Sequence, residues 1–211
     1  MKKVKFIVFI CLFILLPLAY FNGFIRISDL TSEQESIAKK YGGVYVFDEK
    51  LEKEIDKREE ERDKYLDDFF KNNNRDFDLN DQAIMNERLP RVLSNGKKYY
   101  VTTRDYGNDF NKKAEVPEIY LNKIIEFIGK DYDIYTPNVT LKYFYADNSG
   151  NIVPVKTIAT YIYEITTFGI SGDEASGIKF SSSNLTAAKG GNRFEFINNK
   201  FEKISNQSKD K

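Results

Sequence analysis

An uncharged, mostly apolar run near the N-terminus constrains this chain more than any other feature. Lys2, Lys3 and Lys5 precede the run, which extends over residues 6–25. About twenty helical residues at ~1.5 Å each reach about 30 Å, the thickness of the hydrocarbon core of a bilayer. We therefore expect residues 6–25 to contact the lipid bilayer as a transmembrane helix.

The same segment, residues 1–25, could instead be a signal peptide that is removed after export. Cleavage requires small residues at positions −3 and −1 of the cut. A cut after Ala19 places Pro17 at −3, and a cut after Gly23 places Phe21 there. Cys11 lies in the middle of the apolar run, which disfavours a lipid-modified cysteine. These features favour a retained anchor over cleavage.

The basic flank predicts the orientation of this anchor. Positive charge keeps the flanking end cytoplasmic. We therefore predict a single-pass protein of the inner (cytoplasmic) membrane, with everything from Arg26 onward facing outward, in an extracytoplasmic or periplasmic location.

Composition excludes several function classes. The chain has no histidine and one cysteine, which lies in the apolar run. The Ser-His-Asp and Cys-His arrangements and nearly every zinc site are therefore excluded. Beyond residue 25 the chain carries 32 acidic and 29 basic residues. Nucleic-acid binding favours a strongly basic face, so we predict no nucleic-acid partner.

Residues 26–75 predict a helical juxtamembrane or spacer region. A short helix is expected over residues 30–43, followed by a short strand or apolar link, and then a long helix capped by Asp48 and ending near Lys71. Residues 56–64 of this long helix are all charged. We interpret it as a solvated helix, in which Arg58 and Arg62 face water, and as a possible spacer that lifts the domain from the bilayer.

The segment after the long helix has the oxygen spacing of a calcium loop. Asp76, Asp78 and Asn80 would be the first ligands and Glu87 the last. However, Asp81 stands where an EF-hand requires glycine for its sharp turn. The preferred interpretation is that Asp78 or Asn80 caps a short helix whose Ala83, Ile84 and Leu89 pack inward. We predict no metal site and no cofactor.

Residues 76–205 predict an α+β extracytoplasmic domain, followed by a polar tail at 206–211. Composition favours a strand over 98–104 and a loop over 106–113. Pro117 begins and Gly129 ends a core helix, in which Leu121, Ile125 and Ile128 are expected to be buried. From Pro137 onward apolar residues alternate, which predicts strands, with turns at 147–151 and at Asn198-Asn199 and a loop over 169–177.

This order of elements predicts an α+β fold in which a helix packs on an antiparallel β-meander. In element order alone, the last hundred or so residues resemble cystatin-like and nuclear-transport-factor-like domains. The resemblance includes no shared motif, so it implies an architecture and no activity.

Two function classes follow. The first is a non-catalytic, membrane-anchored binding, assembly or immunity-type protein with an unidentified protein partner. The alternative is an extracytoplasmic hydrolase that uses paired carboxylates on glycans, since such chemistry needs no histidine. Glu164 is the most attractive acid for that role, but an outward-facing strand residue is the preferred interpretation, because no partner can be assigned to it among the 32 acidic residues. No catalytic, cofactor-binding or metal-binding residue is assigned from the sequence.

Overall fold

The computed structural model describes residues 7–173 and 177–204. Residues 7–21 form the N-terminal helix, which includes a π-helical turn over Cys11–Leu15. The helices are α1 (Leu16–Phe21, the end of the N-terminal helix), α2 (Ser32–Tyr41), α3 (Glu49–Asn72), α4 (Leu79–Arg88), α5 (Thr103–Phe110), α6 (Glu118–Ile128) and α7 (Asp131–Ile134). The strands are β1 (Asn22–Ser28), β2 (Gly43–Val46), β3 (Tyr99–Tyr100), β4 (Asn138–Ala146), β5 (Ile152–Thr160), β6 (Ile162–Asp173), β7 (Gly177–Ala187), β8 (Asn192–Ile197) and β9 (Lys200–Ile204).

The predicted mixed α+β class is confirmed, but the sheet arrangement differs from a single meander. The described strands form a six-stranded sheet in the order β3-β4-β5-β2-β8-β9 and a three-stranded sheet in the order β1-β6-β7. Strand β2 lies between β5 and β8 and runs parallel to β8. Strand β2 belongs to the range predicted as a helical spacer, yet it lies in the middle of the sheet.

The N-terminal segment departs from the predicted helix over residues 6–25. Its helix ends at Phe21, and strand β1 begins at Asn22 and pairs with β6. Of the helices in the described ranges, none is both long and apolar enough to cross a membrane.

Helices cover both faces of the six-stranded sheet. Successive residues of a strand point to opposite faces, so Phe194 of β8 packs with Ile124 of α6 while its neighbour Arg193 reaches α3. The main core lies on the α2 and α6 side. Its buried members are Ile37, Ala38, Tyr41, Tyr45, Ile124, Ile128, Ala159, Tyr161, Phe194 and Phe201.

The core helix α6 begins and ends as predicted, next to Pro117 and at Gly129. Gly129 has a positive φ of 66°, which glycine adopts readily. Ile128 is buried as expected, but Leu121 and Ile125 are only half-buried, and Ile124 takes the central position. The buried face of the helix is therefore centred on Ile124 and Ile128.

The predicted strand over 98–104 is wrong beyond its first residues. Only Tyr99 and Tyr100 pair in the sheet, and helix α5 follows instead of the expected loop. The Thr102 hydroxyl accepts a hydrogen bond from the Asp105 amide, which caps the new helix. A local capping interaction thus overrides the strand composition. The predicted loop over 169–177 is also shorter, because β6 continues to Asp173; residues 174–176 lie outside the described residues.

Three glycines allow β2 to reach the middle of the sheet. A Cβ added to Gly190 would lie 2.6 Å from the carbonyl carbon of Gly42. A Cβ added to Gly43 would lie 2.1 Å from the backbone carbonyl oxygen of Asn192. The backbones after α2 and before β8 therefore contact each other directly. The Asn192 side-chain amide reinforces this contact by donating to the carbonyls of Lys39 and Gly42.

We predict that Gly190→Ala destabilises the protein by about 1–3 kcal/mol, because the added methyl group forces two backbones apart. The matched control is Gly107→Ala in α5, where the nearest atom to a new Cβ is 3.4 Å away. Alanine also forms helices more readily than glycine does, so the control substitution should leave the stability unchanged or increase it slightly. Thermal unfolding followed by circular dichroism measures both. Equal losses from the two variants would contradict the close-contact interpretation.

Candidate functional site

A polar cleft lies at the β3 edge of the six-stranded sheet. Its volume is about 390 Å³, within the range of ligand-binding pockets. Helices α4 and α5, the segment 90–92 and strand β3 form its walls. The lining residues are Gln82, Asn86, Pro90, Arg91, Val92, Lys98, Tyr99, Tyr100, Asp105, Asn108 and Asp109.

The base of this cleft is a charged network that ties β3 to α3. Glu59 of α3 accepts two hydrogen bonds from Arg91, at 3.0 and 2.7 Å, and a third from the Tyr99 hydroxyl at 2.7 Å. Burial opposes ionisation of Glu59, but the hydrogen bonds from Arg91 and Tyr99 outweigh it, so its pKa lies below the usual value. Burial and the adjacent carboxylate raise the pKa of Tyr99, which remains a neutral hydrogen-bond donor.

Arg62, on the same face of α3 as Glu59, links this network to the end of α4. Its guanidinium donates to the Leu89 carbonyl and, at 2.8 Å, to the Asn86 side-chain oxygen. Burial, together with the nearby charge of Arg91, lowers its pKa. Arg62 is only 4% exposed. The expectation that Arg62 faces water is therefore wrong, because its hydrogen bonds connect α3 to the end of α4.

The outer wall of the cleft pairs opposite charges. Lys98 forms an ion pair with Asp109, and the Tyr100 hydroxyl donates to the same carboxylate at 2.8 Å. The bond from Lys98 is the main reason that the pKa of Asp109 lies below its usual value. Arg91 also approaches Asp105 at 3.5 Å. The cleft thus offers balanced donors and acceptors, which suit a polar, uncharged or zwitterionic ligand such as a peptide segment.

A second charged cluster joins α3 to the middle of the sheet. Glu52 is 1% exposed and accepts from Lys156 at 2.8 Å and from both terminal nitrogens of Arg193. Burial opposes its ionisation, but the bonds from Arg193 and Lys156 outweigh that cost and lower the pKa of Glu52. Arg193 also pairs with Glu195 at 2.8 Å. These buried bonds hold α3 on the sheet, so we assign the cluster a structural role.

Both clusters correct the interpretation of α3 as a solvated spacer. The buried face of α3 includes Glu52, Ile55, Glu59 and Arg62, at the spacing of a helix face. Three of these four side chains are charged, and their partners are distant in sequence. Arg58 is closer to the expectation that it faces water, since its side chain is 36% exposed and pairs with Glu54 at 2.9 Å.

The calcium-like segment forms a helix cap. Asp78 caps α4 by accepting from the amides of Asn80 and Asp81. Arg75 binds Asp81 through two hydrogen bonds at 2.6 and 2.8 Å, which lower the pKa of Asp81 to about 2. The capping prediction is confirmed, but Ala83 and Ile84 are exposed rather than packed inward. In the ranges that the structure describes, no group of three or more acidic or cysteine side chains could hold a metal ion.

Glu164 lies in β6, outside the cleft. It is half-buried and paired across the three-stranded sheet with Leu185 of β7. Its backbone amide donates to the Asp29 carboxylate at 2.8 Å. The structure therefore does not bring Glu164 together with the carboxylates of the cleft.

Sequence reasoning missed the cleft entirely. Its residues all lie within 82–109, but they belong to α4, the segment 90–92, β3 and α5, and the contacts of β3 with β4 and α3 hold this region in place. The one local signal was the abundance of tyrosine around residue 100, which predicted a strand and not a pocket.

Large apolar side chains are exposed on the N-terminal helix. The exposed members are Ile7, Val8, Phe9, Ile10, Phe13, Ile14, Leu15, Leu16 and Leu18. Phe13, for example, is 65% exposed, whereas Phe144 and Phe194 of the domain are at most 1% exposed. Continuous apolar surfaces of this kind mark membrane or protein contacts.

Comparisons of this chain with protein-family models, with curated proteins and with solved structures found no match. No activity, ligand or partner can therefore be carried over from a relative, and the chain's own residues must support any functional proposal.

We predict that Glu52→Gln destabilises the protein by about 3 kcal/mol, because it leaves Arg193 and Lys156 without their buried counter-charge. The control is Glu49→Gln one turn earlier, whose side chain is 48% exposed and pairs with the exposed Lys53; its effect should stay within about 0.5 kcal/mol. Urea unfolding of the detergent-solubilised chain measures both.

The effect of Glu52→Gln should also depend on pH. A lowered carboxyl pKa contributes stability above the ordinary value of 4.5, and this contribution is lost as the pH falls through the folded-state pKa. The difference between wild type and Glu52→Gln should therefore be full at pH 7 and shrink in acid. A difference that does not change with pH would show that the charge of Glu52 is not responsible.

Proposed function

We propose that this protein is a single-pass, membrane-anchored binding, assembly or immunity-type module, whose domain faces outward from the cytoplasmic membrane and performs no catalysis. Residues 6–25 are the proposed contact with the bilayer. The cleft between α4, β3 and α5 is the proposed surface for a protein partner.

The observation that carries this proposal is the exposed apolar surface of the N-terminal helix. In water, such a surface would cost roughly 25 cal/mol for each Å² left unburied. The domain buries aromatic residues such as Phe144 and Phe194, whereas the described large apolar side chains of the N-terminal helix between Ile7 and Leu18 are exposed. The preceding Lys2, Lys3 and Lys5 suit the cytoplasmic end of an anchor.

The carboxyl groups support a non-catalytic role. A glycan hydrolase that uses two carboxylates needs one of them protonated near neutral pH, which requires a raised pKa. Among the carboxyl groups whose side chains the structure describes, those with a shifted pKa are shifted downward, including Glu59 at the base of the cleft and Asp109 in its wall. These groups are ionised at neutral pH and suit hydrogen bonding to a ligand.

The cleft supports the binding role because its polar groups are already oriented. The ring hydroxyl of Tyr100 and the guanidinium of Arg91 are held by acidic partners. Preorganised groups of this kind lose little conformational entropy when a partner binds. Asn108 and Gln82 at the rim are exposed and can donate and accept hydrogen bonds.

We predict that the N-terminus is retained. Intact-mass measurement of the protein from washed membranes should give a chain that still contains residues 1–25. Pro17→Ala is the matched variant, because it places alanine at both −3 and −1 of a cut after Ala19; this variant should become partly cleaved. A wild-type mature form that begins between Tyr20 and Phe24 and is released without detergent would contradict the anchor.

We predict that a partner contacts the cleft. A photo-crosslinking amino acid at Asn108 should give one discrete product in native membranes after illumination. The control is the same amino acid at Asn122, which is exposed on α6 away from the cleft lining. Products from both positions, or from neither, would show that the cleft is not the recognition surface.

A further inference from the structure

The three-stranded sheet begins where the N-terminal helix ends. The helix stops at Phe21, and the first residue of β1, Asn22, pairs with Gly169 of β6. Strand β1 then runs away from the helix, with Ser28 opposite Ile165. Because β1 and β6 are antiparallel, the residues of β6 after Gly169 return towards the helix.

The end of the β6–β7 hairpin therefore extends beside the N-terminal helix. Helix α1 contacts β6 directly. The four residues after Gly169, up to Asp173, can reach up to about 13 Å past the start of β1, at about 3.3 Å per residue. A segment of this length is long enough to enter the boundary between lipid headgroups and acyl chains, which interfacial elements penetrate by about 5–10 Å.

This end of the hairpin exposes apolar side chains. Ile170 is 56% exposed, Ile178 is 73% exposed and Phe180 is 58% exposed. Ile178 and Phe180 lie two residues apart in β7, so they point to the same face, and Gly172 lies opposite Ile178. Strand β7 is also an edge strand, and nearly all of its residues are exposed.

We propose that Ile170, Ile178 and Phe180 form a second lipid contact, which inserts the end of the β6–β7 hairpin into the outer leaflet beside the anchor. This inference rests on the proposed anchoring of residues 6–25. The hairpin end lies beside the apolar helix, because α1 contacts β6, so the same bilayer would cover both. The second contact would hold the domain at a defined orientation to the membrane.

The charges near this hairpin end indicate how the contact forms. Lys179 lies between Ile178 and Phe180 in sequence, and Asp173 and Glu174 precede Gly177 in the sequence. Their charges do not favour an anionic surface. Insertion should therefore depend on the apolar side chains, and it should occur in zwitterionic vesicles and persist in high salt.

The absence of tryptophan from the chain allows a direct test. Phe180→Trp introduces a single fluorescent reporter of similar size, and the full chain is reconstituted in phosphatidylcholine vesicles. Brominated acyl chains quench tryptophan that enters the bilayer. Phe180→Trp should show blue-shifted emission and clear quenching. Ile178→Trp, on the same face of β7, is the second variant in case the first fails to fold.

Two further reporters make the result specific. Phe70→Trp is the matched control, since Phe70 is 54% exposed but lies at the end of α3 against Phe69 and Phe77; it should not be quenched. Phe13→Trp reports the proposed anchor itself and should be quenched most strongly.

The outcomes separate the two proposals. Quenching of Phe13→Trp without quenching of Phe180→Trp or Ile178→Trp would overturn the hairpin contact and leave the anchor standing; the sheet would then be free for a protein partner. No quenching at Phe13 would overturn the anchor. Quenching at Phe70 equal to that at Phe180 would also overturn the hairpin contact, because it would show non-specific adsorption of the domain.

Discussion

The six-stranded sheet depends on a close contact between two backbones. Strand β2 can enter between β5 and β8 only because Gly42, Gly43 and Gly190 leave no side chain between them. The Asn192 amide then bonds the carbonyls at the end of α2. Since α2 and α3 flank β2 directly in the chain, this contact also decides where both helices pack. Through this backbone contact, α2, β2 and α3 become part of the folded domain.

Buried charge then determines how α3 lies on the sheet. Removing Glu52, Glu59 and Arg62 from water is costly, and the cost is offset only when each group meets its particular partners. An apolar stripe would tolerate small shifts of the helix, whereas a carboxylate bonded to Arg193 and Lys156 does not. The same network positions Arg91 and Tyr99, so the stability of α3 and the shape of the cleft have a common origin.

The structure separates the proposed attachment from the proposed recognition. The N-terminal helix leads directly into the three-stranded sheet, and both expose apolar side chains. The cleft is instead built on β3, at the edge of the other sheet, and its lining is polar and charged. A module that orients itself on a bilayer while presenting a polar surface requires this separation, because the two surfaces need opposite chemistry.

Interactions between near neighbours in the chain could be predicted from the sequence alone. Thr31 and Asp48 cap helices, Gly129 ends one, and Asn198-Asn199 turns a hairpin with positive φ angles. Alternating apolar residues likewise predicted the late strands and the mixed α+β class. The burial of Glu52 and Arg62, the parallel position of β2, the division into two sheets and the cleft were decided only by the tertiary structure. Their partners lie far apart in the chain: Arg193 is 141 residues from Glu52. A charged residue looks the same in sequence whether it meets water or a buried counter-charge, and only the folded chain determines which of these it meets.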